Sequence, residues 1–316
     1  MFFLRAHAHA VGNHTQRGEW LSRGGDTPPV FLESLSMNSL KTVGLLAVMT
    51  ALLFWLGYEM SGGFIWAIAI AVVFNFAAYF FSDKLALAAT RARPVTEAEL
   101  PRVYATVRRL ATQMDMPMPS IYVMDSPQPN AFATGRNPKK AAVAVTTGIL
   151  DILDHEELEG VLGHELAHVQ NRDILISSIA AMLGAAIAIL ARMAFWFGGG
   201  NNRNNPLGII GVLVSLIVAP LLAILIRFAI SRTREYQADR TGAEITGQPM
   251  KLASALQKIS VGTERIPMRV NEATSQLFID NPLKAIRGRG MAKWFSTHPP
   301  VEERVERLQN MAMGIN

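Results

Sequence analysis

No cysteine occurs anywhere in the 316-residue chain. That absence excludes disulfide bridges, thiolate metal sites and a cysteine nucleophile, and it fits a reducing compartment. Charge is scarce as well: 17% of residues are Asp, Glu, Lys or Arg, against about 25% in a typical soluble domain. Hydrophobic residues make up 50% of the chain, and membrane insertion is the first reading of such a balance. The formal net charge is +5. Its basic residues lie beside apolar runs instead of clustering on a polar module, which suits a positive-inside membrane protein better than a nucleic-acid binder.

Four apolar runs divide the chain: Val43–Tyr58, Phe64–Phe81, Ile174–Phe197 and Leu207–Ile226. Each is near or above the length of about 17 residues that a spanning helix needs. Residues 1–36 are polar, carry Gly and Pro and have no periodicity, so they read as a disordered extension. The scattered His7, His9 and His14 there read as inert, and Met37 reads as the biological start. Residues 37–82 then form one transmembrane hairpin and 174–230 a second. The stretches 83–173 and 231–316 supply the two parts of a soluble domain. Lys41, Lys84, Arg91 and Arg93 flank the first hairpin and only Glu59 marks its tip, which puts both ends of that hairpin in the cytoplasm.

Within the first soluble part, Thr96 and Glu99 form a capping-box pair ahead of an amphipathic helix toward Met114. Ser120–Met124 and Ala141–Thr147 read as strands, joined through a basic turn at Gly135–Lys140 that has a mobile character. The second strand reads as an exposed edge for an extended substrate. Ala142 and Ala144 are small enough to admit another backbone, while Val143 and Val145 pack on one face.

Then comes VLGHELAHVQNRD at Val161–Asp173, containing H-E-x-x-H as His164, Glu165 and His168. Asp154 and Glu157 give a capping-box start, and Leu158, Val161, Leu162, Leu166 and Val169 keep helical period through the motif. On that helix the two histidines share a face and can offer two imidazole nitrogens to one ion, for which zinc is well suited. Glu165 is turned about 100° from His164, close to the ion yet free to hold a water. A catalytic zinc needs a third protein ligand. Glu235 and Asp239, four apart in SRTREYQADRTGAEITG, can complete a His-His-Glu set and orient an imidazole. Composition alone would make them a solvated pattern among Arg232, Arg234 and Arg240. Their similar height above the second apolar hairpin favours the ligand reading.

With these residues assembled, the chain resembles the HtpX family of bacterial integral-membrane zinc metalloproteases, relatives of the CAAX prenyl proteases. The resemblance rests on NAFATG at Asn130–Gly135, AVAVTTGIL at Ala142–Leu150, the H-E-x-x-H helix, REYQAD at Arg234–Asp239 and THPPVEERV at Thr297–Val305. It covers the chain from Met37 onward and implies one zinc ion per chain at His164, His168 and Glu235, with Glu165 as general base. It further implies that His298 and Arg304 approach the site and steady charge on the scissile carbonyl. Asn130 joins the strand residues as a substrate-binding candidate.

The expected fold is a mainly α membrane protein: four transmembrane helices and a cytoplasmic α+β, zincin-like protease domain with a small sheet. The expected function is an inner-membrane endopeptidase that degrades misfolded or damaged membrane proteins, its partners being unfolded polypeptides and the lipid bilayer, without nucleic acid. A CAAX-type processing protease and a non-enzymatic membrane metal-binding scaffold are the alternatives. The retained Glu165 argues against an idle site.

Overall fold

The computed structural model describes residues 43, 44, 47, 50, 51, 54, 64–175, 178, 179, 232–266, 278, 279 and 299–315. Helix α1 (Phe64–Ala89) comes first, followed by strand β1 (Arg93–Pro94) and helix α2 (Pro101–Gln113). Strands β2 (Ser120–Met124), β3 (Ala131–Thr134) and β4 (Ala142–Thr146) follow, with a 3-10 turn at Pro138–Lys140 inside the β3–β4 connection. Helices α3 (Thr147–Ile152) and α4 (His155–Gln170) complete the first part. Helices α5 (Arg232–Thr246), α6 (Pro249–Arg265) and α7 (Val301–Ala312) belong to the second.

The strands form one mixed sheet in the order β1-β2-β4-β3, with β2 and β4 parallel and the other pairs antiparallel. Alternation sorts its side chains onto two faces. Ile121, Val123, Ala131, Ala133, Val143 and Val145 face the main core, which they share with the buried sides of α2, α4, α5, α6 and α7. Tyr122, Met124, Phe132, Ala142 and Ala144 face the other way, against Ala86 and Leu87 at the end of α1 and against Phe278.

This arrangement corrects the expected substrate strand. Instead of forming an edge, β4 pairs with β2 on one side and β3 on the other, and all five of its residues are buried. Ala142 and Ala144 are small because the end of α1 and Phe278 pack over them. Ala142, Val143, Ala144 and Val145 therefore have no backbone or side-chain face open to a substrate, and β3 is the edge beside the site. The Thr96–Glu99 pair also differs from expectation. The Glu99 carboxylate does accept from the Thr96 N–H at 2.8 Å, but this closes a turn and α2 begins only at Pro101. A proline suits the first helical position and disfavours the helical conformation in the residue before it.

Helix α4 begins where the sequence places it. Asp154 accepts from the Glu157 N–H and Glu157 returns the bond to the Asp154 N–H, the reciprocal cap that satisfies two orphan donors. Beyond its cap the helix is sunk in protein on nearly every side. Glycines allow that: a Cβ on Gly160 would lie 3.2 Å from the Leu252 backbone of α6, and one on Gly242 of α5 would lie 2.7 Å from the His164 N. Close helix crossing is what brings the α5 side chains to the histidines.

Helix α1 carries the second apolar run and leaves Phe64, Ile65, Val72, Val73 and Phe76 exposed, Ile65 at 79%. Among the described residues, no helix is long and apolar enough to cross a membrane. The first apolar run lies mostly, and the third and fourth almost wholly, outside the described residues, as does the 1–36 extension. The four expected crossings are thus not shown.

Gly242 gives the first test. In an open helix interior Gly→Ala stabilises by about 1 kcal/mol. Here the added methyl meets the α4 backbone, so Gly242→Ala is expected to destabilise by about 1–3 kcal/mol in denaturant unfolding, the usual scale of overpacking. A gain in stability would show that the two helices are not held at this separation.

Candidate active site

Two imidazoles from α4 and one carboxylate from α5 meet at the crossing. Ligand atoms of His164, His168 and Glu235 all lie within 4.8 Å of one another. His168 Nε2 is 3.4 Å from Glu235 Oε1, and His164 Nε2 is 3.9 Å from Glu235 Oε2. Donors on a tetrahedral zinc, about 2.1 Å from the ion, stand about 3.4 Å apart, so these separations suit such an ion with little adjustment. The imidazole rings are nearly perpendicular, at 89°.

Each ring is steered from behind. His164 Nδ1 lies 2.9 Å from Asp239 Oδ1, and His168 Nδ1 lies 3.1 Å from Asp173 Oδ2. A carboxylate that accepts a hydrogen bond from Nδ1–H leaves Nε2 as the lone-pair nitrogen, which is the tautomer a metal needs. The donor set thus fits a metal ion on its own chemistry. Burial works against a charged His168, but the hydrogen bonds to Asp173 and Glu235 outweigh it and hold its pKa well above the usual imidazole value. A metal ion competes with that proton, because ligation requires the neutral ring.

Glu165 sits one residue beyond His164 and is buried. Its Oε2 accepts a hydrogen bond from the Ala133 N–H of the edge strand at 2.8 Å, which leaves Oε1 as the uncommitted oxygen. Burial pushes this carboxyl above the usual range, against the pull of His164 and His168, while the like charge of Glu235 pushes the same way as burial.

A protein-family comparison now has a geometry to stand on. The model described as Peptidase family M48 matches residues 97–312. The chain belongs to peptidase family M48. Members of the family are metalloproteases, and so is this chain. A protein named Protease HtpX homolog from Syntrophobacter fumaroxidans is 49% identical over 280 residues, covering 86% of this chain and 98% of the relative. Another of that name, from Syntrophotalea carbinolica, is 50% identical over 287 residues, covering 88% and 100%. The crystal structure of S. mikatae Ste24p is 18% identical, covers 88% of this chain and 67% of that one, and superposes with a TM-score of 0.46.

The remaining M48 site residues divide into those the fold brings in and those it turns away. Arg304 of α7 is fully buried and clasps Asp239 at both ends: Nε donates to Oδ2 at 2.7 Å and Nη2 to Oδ1 at 2.6 Å. Burial alone would raise the Asp239 pKa, yet Arg304 holds it at about 2. Nε and Nη2 are spent on Asp239, while Nη1 lies 3.8 Å from Glu235 Oε2, so the buried guanidinium stands directly behind the His164 and Glu235 side chains. Asn130 is tied into the fold, its carboxamide oxygen accepting from the Ile279 N–H at 2.9 Å. His298 lies outside the described residues, while the adjoining Pro299 is buried.

Asp173 is the residue the sequence reading passed over. It follows α4 through Arg172, whose φ of 59° breaks helical periodicity. Besides His168 it holds Arg234, whose Nη1 lies 3.2 Å from Oδ1. The available signal was an acid isolated between the metal helix and an apolar run, five residues past a ligand. Asp173→Ala is expected to weaken metal binding by about 10–100-fold in competition with a chelator, the usual effect of removing a ligand's orienting partner. Unchanged affinity would show that His168 is held without it.

Proposed function

We propose that this M48 peptidase is a zinc-dependent, membrane-anchored endopeptidase that cuts unfolded or membrane-proximal polypeptide segments. The observation that carries the reading is the junction of the His164, His168 and Glu235 donor set with an edge strand through Glu165. Zinc held by those three residues supplies Lewis acidity toward a peptide carbonyl and toward water. Glu165, fixed at Oε2 by Ala133, offers Oε1 to take a proton from the attacking water and return it to the departing amine. Asp239 and Asp173 keep the two imidazoles pointed at the ion.

Substrate binding follows from the sheet order. Thr146 donates its N–H to the Asn130 carbonyl, so by antiparallel alternation Asn130, Phe132 and Thr134 turn their backbone toward β4 while Ala131 and Ala133 turn theirs outward. An extended peptide pairing with the outward backbone of Ala131 and the Ala133 carbonyl would bring its own carbonyl past Glu165, which already takes the Ala133 N–H. Main-chain pairing of this kind is tolerant of side chains, which suits a protease that selects by unfolding.

Anchoring at the bacterial inner membrane, with the site on the cytoplasmic side, is supported by the exposed apolar side chains of α1 and by the basic residues that follow it. The apolar runs at 174–197 and 207–226 would add a second hairpin, making four crossings. Degradation of damaged membrane proteins is the role such a placement serves.

The base and the metal separate in one experiment on detergent-purified full-length protein with an unfolded substrate. Glu165→Gln keeps the shape and removes the proton acceptor, so zinc stays bound and cleavage falls by at least about 100-fold. Glu235→Ala loses both zinc and cleavage, and a chelator abolishes wild-type activity. Full zinc stoichiometry and wild-type cleavage in Glu235→Ala would assign the third ligand elsewhere.

A further inference from the structure

The turn between β3 and β4 carries Arg136, Lys139 and Lys140, and no step of peptide hydrolysis uses them. Several basic residues of the described surface have an acid to answer them: Arg93 pairs with Glu99, Arg108 with Glu97, Arg109 with Glu159, Lys251 with Asp154 and Glu156, and Lys258 with Glu157. Among the described residues, Arg136, Lys139, Lys140 and the nearby Lys84 make no ion pair. Lys139, Lys140 and Lys84 are exposed.

The turn has a defined backbone shape. Gly135 has φ 139° and lies so close to the returning strand that a Cβ would stand 2.5 Å from the Lys140 carbonyl oxygen. Pro138–Lys140 form a single 3-10 turn, closed by the Lys140 N–H donating to the Asn137 carbonyl at 3.0 Å.

Two further contacts fix where it sits. Arg136 lies 5.0 Å from the ring of Phe80 on α1, and Lys84, one helical turn beyond Phe80, lies 5.7 Å from the ring of Phe81. Tyr79, Phe80 and Phe81 are exposed aromatics, beyond which α1 turns polar at Ser82 and Asp83. That sequence of apolar face, aromatic band and cations is the order found at a membrane–water interface. At its root the turn is bonded to the start of the third apolar run: Thr134 Oγ1 is 2.6 Å from Ser178 Oγ, which in turn donates to the Ile174 carbonyl at 2.7 Å. The cations thus stand between the end of one apolar segment and the beginning of another.

We propose that the β3–β4 turn, together with Lys84, binds the phosphate groups of anionic phospholipids and so seats the catalytic edge strand at a fixed height beside the bilayer. The proposal rests on the membrane reading above. Cations held near a negatively charged leaflet gain about fivefold in association each. The consequence for catalysis is short-ranged, because Ala133, which holds Glu165, is two residues from Gly135 and three from Arg136.

The test uses full-length protein in bilayers of phosphatidylcholine with and without phosphatidylglycerol, reading the relative association of spin-labelled forms of the two lipids. Wild type is expected to prefer phosphatidylglycerol severalfold, with the preference shrinking as salt is raised. The triple substitution Arg136→Gln, Lys139→Gln, Lys140→Gln is expected to lose most of that preference and the gain in cleavage that phosphatidylglycerol brings, while zinc content and cleavage in detergent match wild type. Arg102→Gln, which removes an exposed cation on α2, is expected to change nothing. A triple variant that inserts normally and retains the wild-type lipid preference overturns the proposal while leaving membrane anchoring intact. Competition by millimolar inorganic phosphate that abolishes the preference at constant ionic strength would overturn it in favour of a free-anion site. Failure of wild type to incorporate into any bilayer would overturn the membrane reading and this proposal with it.

Discussion

A neutral imidazole has one lone-pair nitrogen, and everything in this site depends on which one it is. His164 and His168 are adjacent on one face of α4, but a helix alone does not decide their tautomers. The decision comes from Asp239 on α5 and Asp173 at the α4 exit, each at Nδ1. Asp239 in turn is kept ionised inside the protein by Arg304, which approaches from α7. A buried pair of this kind gives little net stability, but removing one partner strands the other charge at a cost of about 3–5 kcal/mol. The three helices are therefore bound to one another through the tautomer of a single ring.

The same economy governs the distances. Glu235 and Asp239 can reach the histidines only because Gly242, one turn beyond Asp239, lets α5 touch the α4 backbone. Gly160 does the same for α6 on another side of α4. With α4 enclosed, Glu165 loses water and gains the Ala133 amide, so its carboxylate is held by the edge strand. Packing and the geometry of the donor set thus both follow from one helix being surrounded.

The parts of this arrangement that were legible in the sequence are those with local spacing. His164 and His168, Glu235 and Asp239, and Asp154 and Glu157 are each separated by one helical turn, and each pair performs together in the structure. The sheet was less legible because strand order is not a property of a strand's own residues. Alternating Ala and Val in β4 suits an edge that admits a peptide and equally suits a central strand beneath α1; only the partners, β2 and β3, distinguish the two. Strand β3 itself has four residues, two of them alanine, within a segment noted only for its likeness to a family. Asp173 was hidden by the left-handed Arg172, which ends the periodicity that made the other acids visible. Arg304 was legible only through the resemblance, because its pairing with Asp239 joins residues 65 apart and no local spacing marks it.

Unpaired surface lysines are ordinary, since water solvates them well and an exposed ion pair adds little stability. What sets the β3–β4 turn apart is that its charges are held in place by elements with other duties. Gly135 and the 3-10 turn give it one shape, Phe80 holds Arg136 against α1, and Ser178 holds its root to the segment beyond the metal helix. A turn whose backbone already has one shape loses little loop entropy on binding, so it attracts an anionic surface more effectively than the same charges on a free loop. Its rigidity also runs inward through Thr134 to Ala133 and Glu165. Under the proposed seating at a bilayer, such a connection would let the height of the edge strand limit which segments can be paired and cut.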